Sequence, residues 1–209
     1  MTNRWSSRVR FSVAVDSQGS PTPPALPCYS VPPMKPEPVR IQLTKCLLRE
    51  WRRGDEPSLV RHANNHNVWI NLRDSFPFPY TPADARGWIR LAATNALNLV
   101  FAIDVDGFAV GGIGLKPGED IHRHNAEIGY WLGEEYWNRG ITTEAVIAVT
   151  DYAFRTLEMT RVHAEVFEWN TASMHVLEKA GFTREGVLRK SAFKDRQWVD
   201  EVVFARIMP

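Results

Sequence analysis

Apolar positions alternate or run together in short stretches of this chain and recur at helical spacing in others. Val39 to Trp51 reads as a strand, and Gly54-Asp55 then opens a helical stretch through about Asn65, with Pro57 tolerable in its first turn. A second helix starts after Thr81-Pro82: Thr81 can cap it, Pro82 suits its first position, and Ala85, Trp88, Ile89, Ala92 and Ala93 fall on one face. Between the two helices, Trp69 to Tyr80 is rich in aromatics and prolines, fits neither period, and predicts a shaped loop.

Leu99 to Val105 and Phe108 to Leu115 are apolar runs joined by Asp106-Gly107, a two-residue turn signal for an antiparallel hairpin. Ala126 to Leu132 is a further strand, followed by a helix from about Thr142 to Leu157 and the strand Arg161 to Phe167. A helix from Thr171 to Ala180 ends at Gly181, and Phe182 to Leu188 and Val199 to Ile207 are the last strands. Strands alternating with helices, plus one hairpin, predict a mixed α/β sheet with helices on both faces and no internal repeat.

Met1 to Pro38 carries a proline cluster and little apolar periodicity, so a disordered tail is expected there, with the folded domain over 39–209. Met34, just before the first ordered pattern, is the expected alternative start. Arg4, Arg8 and Arg10 are not followed by the apolar region of a targeting peptide. A length of 209 residues with 44% hydrophobic content suits one core. With 25 basic and 24 acidic residues, no global field steers the chain to nucleic acid or anionic lipid. No apolar run approaches the roughly 20 residues of a membrane helix. Cys28 and Cys46 make no disulfide framework, and a reducing cytoplasm is the simplest compartment. His122 with His124, and His62 with His66, have spacings a metal can use, but no carboxylate or cysteine completes either set, so no metal is expected. Cys46 reads as a small core residue.

Chemistry concentrates where a strand ends and a helix begins, at Trp137-Asn138-Arg139-Gly140-Ile141-Thr142-Thr143. Gly140 allows close backbone approach, the first helical amides lack internal partners, and the dipole is positive there, so an anion fits. Arg139 is either an added charge or an ordinary surface arginine, and Thr142 or Thr143 either helps hold the anion or merely caps a core helix. No Walker or dinucleotide fingerprint is present. The segment resembles the acyl-CoA-binding turn of the GCN5-related N-acetyltransferase (GNAT) superfamily, Gln/Arg-x-x-Gly-x-Gly/Ala; it keeps the central Gly140 and departs at both ends. Trp137 at the first place and Thr-Glu-Ala afterwards are similar to the branch of ribosomal-protein N-terminal acetyltransferases. Ala126-Glu-Ile-Gly-Tyr-Trp-Leu132, the helix from Asn170 to Phe182, and the loop Asn71 to Thr81 resemble that branch in the same order.

The resemblance implies a single domain with a mostly antiparallel mixed sheet and one splayed parallel strand pair, acting with acetyl-CoA as donor and an amine-bearing acceptor, as monomer or homodimer. It implies that Tyr130, Trp131 and Leu132 border the pantetheine arm and that Asn170 hydrogen-bonds it. Asn170 also reads as a plain N-cap. Ser173, one turn on, is either the proton donor for the leaving sulfur or another helix-face serine; the tyrosine that many relatives carry after Gly-Phe is absent from Gly181-Phe182-Thr183. Glu127, between Ala126 and Ile128, is either the base, directly or through water, or a charge reaching solvent. Trp69, Arg73, Phe76, Phe78 and Tyr80 form either the acceptor wall or an aromatic minicore. The leading expectation is an acyl-CoA-dependent N-acyltransferase acting on a protein N-terminus or small amine; the alternative is a silent acyl-CoA sensor or interaction module.

Overall fold

A computed structural model describes residues 39–94 and 99–209. The proline-rich segment, with Cys28 and Met34, lies outside them. In chain order the elements are β1 (Ile41–Gln42), β2 (Leu47–Arg49), α1 (Glu56–Ala63), α2 (His66–Trp69), α3 (Pro82–Thr94), β3 (Leu99–Val105), β4 (Phe108–Pro117), β5 (Asn125–Leu132), α4 (Ile141–Thr156), β6 (Arg161–Phe167), α5 (Thr171–Lys179), β7 (Thr183–Lys194) and β8 (Gln197–Ile207). The eight strands form one sheet in the order β1-β2-β3-β4-β5-β6-β8-β7. Every neighbouring pair is antiparallel except β5 and β6, which are parallel and joined through α4. A parallel pair needs such a crossover.

Strand alternation sorts the core to two faces. Phe101 and Ile103 of β3, Ala126, Ile128 and Leu132 of β5, and Val162, Ala164 and Val166 of β6 pack with α4 (Ala145, Val146, Val149, Ala153) and with Leu177 of α5. The intervening Ala102, with Ala109, packs on the other face with Leu59 and Ala63 of α1 and with Ala85 and Ile89 of α3. Helices therefore cover both faces, as the pattern predicts. No helix among the described residues is long and apolar enough to cross a membrane.

Three elements differ from the sequence reading. The single strand expected over Val39 to Trp51 is a hairpin, because the chain turns at Leu43 to Cys46, where the Leu43 amide donates to the Cys46 carbonyl at 2.9 Å. The helix expected to reach Asn65 stops at Ala63, and Asn65 caps the short α2 by accepting from the Asn67 amide at 2.8 Å. β7 runs on past Leu188 to Lys194, because Asp195 and Arg196 both take positive φ (45° and 65°) and close a tight β7–β8 hairpin. Asp-Arg carries no glycine, so its turn signal is weak.

One buried ion cluster ties the N-terminal hairpin to the sheet. Arg49, 4% exposed, donates from both Nη atoms to Asp55 (2.8 Å each) and from Nε to Asp104 (2.6 Å). Asp104 also accepts from the Gly107 amide of the β3–β4 turn. The Asp55 carboxylate is thereby diverted from capping α1. Arg49→Ala leaves two buried carboxylates with only the longer ion pairs to the exposed Arg52 (3.8 and 4.0 Å) and is expected to cost about 3 kcal/mol in a urea melt; a loss under about 1 kcal/mol would show that the cluster is not structural.

Candidate functional site

β5 and β6 pair only at Asn125, Ala126 and Glu127 with Arg161, Val162 and His163. Beyond them β5 stays bonded to β4 through Leu132, and β6 to β8 through Phe167. The outer ladders hold while the inner one opens, leaving backbone groups of 128–132 and 164–167 without a strand partner on the facing side. A cleft of about 1700 Å³ occupies the opening, with Gly129, Tyr130 and Trp131 on one wall and Ala164 to Phe167 on the other. An extended ligand with amide groups can take the missing ladder positions.

The Trp137–Thr143 turn closes one end. Asn138 (φ 60°) and Gly140 (φ 74°) are both left-handed, which lifts the chain into the first turn of α4; Gly140 sits at the N-cap and supplies no side-chain cap. Trp137, Asn138, Gly140, Ile141, Thr142 and Thr143 line the cleft. The Trp137 indole is spent on the Leu132 carbonyl (2.7 Å), fixing the end of β5. Arg139 does not line the cleft: its guanidinium folds back onto the Glu135 carbonyl (2.6 Å) and the Tyr136 ring (5.1 Å). The cation at the turn is Lys45, whose Nζ donates to the Arg139 carbonyl at 2.9 Å and lies 2.5 Å from where a Cβ on Gly140 would stand. Glu144, in the first turn of α4, holds Lys45 there by accepting from the Thr44 (2.8 Å) and Lys45 (3.0 Å) amides. Burial pushes the Glu144 carboxyl up, but those amides and the Lys45 charge outweigh it and hold it below the usual range.

The two faces of the opening differ chemically. On the α5 side, Asn170 caps the helix by accepting from the Ser173 amide (3.1 Å), which bears out the N-cap reading, and the Ser173 hydroxyl lies 2.8 Å from the Tyr130 phenol. On the opposite face, strand parity places Glu127 of β5, His163 and Glu165 of β6 and Glu201 of β8 together. Arg73 reaches down from the loop to pair with Glu127. Burial, then the Glu201 and Glu127 charges, push the Glu165 carboxyl above its ordinary value, with Arg73 and His163 opposing.

The loop after α2 is held by long-range contacts. Asn71 accepts from the Trp169 indole (3.1 Å), and Asp74 accepts from the buried Lys194 (2.8 Å). Arg73, Phe76 and Tyr80 line the cleft, with Phe76 against Tyr80 (4.9 Å) and Trp131 (5.5 Å). Trp69 and Phe78 do not; they stack on each other at 5.5 Å, and Lys194 sits 3.7 Å from the Trp69 ring centre. Arg73, Phe76 and Tyr80 of the loop thus face the cleft, while Trp69 and Phe78 pack on each other away from it.

Elsewhere the histidines are engaged separately: His62 is buried against Tyr136, with burial lowering its pKa, and His124 meets the Glu158 carbonyl. No group of three or more metal-ligating side chains gathers among the described residues. Cys46 is a core residue whose thiol burial, with Glu144 and Asp104 nearby, pushes up to about 11. Lys45 and Glu165 were not singled out as site groups by the sequence, and Tyr130 was singled out only for its place along β5. Only Glu165 carried a signal, a carboxylate between Ala164 and Val166 in a buried strand, two residues beyond His163.

Residues 45–183 match the acetyltransferase (GNAT) domain family. Over 84 residues the chain is 46% identical to the probable N-acetyltransferase YjcK of Bacillus subtilis (strain 168), which covers 40% of this chain and 46% of that protein. Over 86 residues it is 31% identical to the [ribosomal protein uS5]-alanine N-acetyltransferase of Escherichia coli (strain K12), covering 41% and 44%. The chain thus spans about half the length of these curated relatives. Among solved structures, Mycobacterium smegmatis RimJ in complex with CoA-disulfide superposes with a TM-score of 0.69 at 26% identity, over 78% of this chain and 81% of that one.

The geometry of the turn makes a direct forecast. Gly140→Ala forces a left-handed alanine and is expected to cost about 1–2 kcal/mol. The Lys45 ammonium is the end of a flexible chain and can swing aside, so Lys45→Ala in the same protein should restore little of the loss. Thermal unfolding of the single and double variants decides it; full recovery in the double variant would make the clash, not the torsion, the cause.

Proposed function

The chain belongs to the GNAT acetyltransferase family, and from that premise we propose that it transfers an acyl group, acetyl first among them, from acyl-CoA directly to an amine in a ternary complex. The observation that carries this reading is the β5–β6 opening, closed at one end by the Gly140 turn. An acyl-CoA thioester supplies an extended pantetheine arm, a pyrophosphate and an activated carbonyl, and these residues fit each in turn. The free edge of β5 at Tyr130 to Leu132 takes the arm's amides, with Asn170 alongside. The amides of Ile141, Thr142 and Thr143 and the Lys45 ammonium take the pyrophosphate. Arg139 contributes its backbone, its side chain being turned away.

At the reacting end, Glu165 takes the proton of the amine, directly or through one water, and Glu127 is held beside it by Arg73. Ser173 donates to the departing sulfur. Phe76, Tyr80 and Arg73 form the acceptor wall, with Trp69 stacked on Phe78 of the same loop. The carboxylates Glu127, Glu165 and Glu201 outnumber the cations Arg73 and Lys116 on that face of the cleft and favour an acceptor that arrives as an ammonium, a protein N-terminus or a small amine. A protein α-amine, with a pKa of about 7.7 to 8.0, needs only a modest base. The reading assigns the cytoplasm, where acyl-CoA is available, and no nucleic-acid or membrane partner.

Two measurements test it. Calorimetric titration with acetyl-CoA, followed by thiol release with a panel of N-terminal peptides and small amines, should show binding and selective turnover; binding with no turnover on any amine would favour an acyl-CoA sensor instead. The base must be ionised, so activity is lost as pH falls through the raised Glu165 pKa, placing the acid limb of kcat/KM above the ordinary carboxylate value of about 4.3. Glu165→Gln should abolish that limb and lower kcat/KM by about 10²- to 10⁴-fold. Glu127→Gln removes a neighbouring negative charge and should shift the limb to lower pH; if Glu127→Gln abolishes it instead, Glu127 is the base.

A further inference from the structure

Tyr130 is the one hydroxyl-bearing side chain on the α5-facing row of β5, whose other members are Ala126, Ile128 and Leu132. A phenol there is costly unless it is hydrogen-bonded. The partners it has both belong to Ser173, the hydroxyl oxygen at 2.8 Å and the main-chain carbonyl at 3.3 Å. Tyr130 lies beyond Glu127, where β5 no longer pairs with β6, and Ser173 is in the first turn of α5. The contact therefore ties the open edge of β5 to the first turn of α5, and both residues line the cleft.

We propose that Tyr130 is a positioning residue for thiol departure: its phenol donates to Ser173 Oγ and leaves the serine's own proton free to point at the leaving sulfur. This rests on the reading of Ser173 given above. The phenol has one proton and two acceptors, and the shorter contact is to the hydroxyl. Burial keeps the phenol protonated, so it acts as a donor throughout. Asn170 meanwhile fixes the Ser173 amide, so the backbone and hydroxyl of Ser173 are both held. When the amine nitrogen bonds to the acyl carbon, the C–S bond breaks and its electron pair stays on sulfur, where the Ser173 O–H meets it. The amine's proton leaves to Glu165, and nothing is oxidised or reduced.

The test is the acidity of the CoA thiol bound to the protein, followed by thiolate absorbance in the binary complex with no acceptor present. A serine proton aimed at sulfur stabilises the thiolate, so Ser173→Ala and Tyr130→Phe should each raise the bound thiol's pKa by about one unit. In turnover, Tyr130→Phe should lower kcat about tenfold, leave KM for acetyl-CoA within about twofold, and add nothing in the Ser173→Ala background. Tyr130→Phe keeps the ring in the core, and CoA affinity in the same samples reports that the fold is intact. If Ser173→Ala shifts the thiol pKa and Tyr130→Phe does not, or if the two effects on kcat multiply, the positioning role is wrong while the serine reading stands. If Ser173→Ala changes neither quantity, both fall.

Discussion

Two parallel strands that stop bonding to each other after three residues impose the main constraint on this molecule. β5 and β6 are each held on their outer sides by full antiparallel ladders, to β4 and to β8, so the opening between them is a fixed feature of the sheet. Open backbone in a sheet interior is unfavourable unless something pairs with it or water reaches it. Here it faces a cleft, and α4 leaves the end of β5 through a turn that presents unpaired helical amides to the same cleft. The N-terminal hairpin is fastened to that turn by Glu144, which brings in Lys45 from almost a hundred residues away in sequence.

Strand parity then separates two kinds of chemistry across the opening. Even-numbered positions of β5 face α4 and α5, where Tyr130 and Ser173 place hydroxyls in an otherwise apolar setting. Odd-numbered positions face the loop after α2, where Glu127, Glu165 and Glu201 gather beneath Arg73. In the proposed reaction, proton removal and leaving-group stabilisation fall to opposite faces of one slot. The loop after α2 owes its shape to anchors from elsewhere: Trp169 on Asn71, Glu127 on Arg73 and Lys194 on Asp74.

Much of this was legible in the chain because it rests on local signals. Asp106-Gly107 marked the β3–β4 hairpin, Gly140 the turn into α4, and Asn170 the cap of α5. What was not legible depends on distant partners. Nothing near Thr44 and Lys45 announces a turn, because its amides are satisfied by Glu144. Arg139 read either as an added charge at the turn or as a surface arginine; its guanidinium reaches a carbonyl four residues back, and the Lys45 ammonium lies on its backbone carbonyl. Glu127 was visible as a carboxylate among apolar neighbours, but neither its pairing with Arg73 nor the gathering of Glu165 and Glu201 around it can be read without the register of β6 and β8. Trp69 reads like Phe76 in sequence, and only the tertiary contacts show that it stacks on Phe78 beneath Lys194 and does not line the cleft.

Hydrogen exchange along β5, with and without acetyl-CoA, tests the central claim most directly. If the opening is the slot for an extended acyl-CoA, the amides between Ile128 and Leu132 that do not bond to β4 should slow on addition of acetyl-CoA, together with those of Ile141 to Thr143 at the start of α4. Protection that appears elsewhere and leaves both segments unchanged would contradict it.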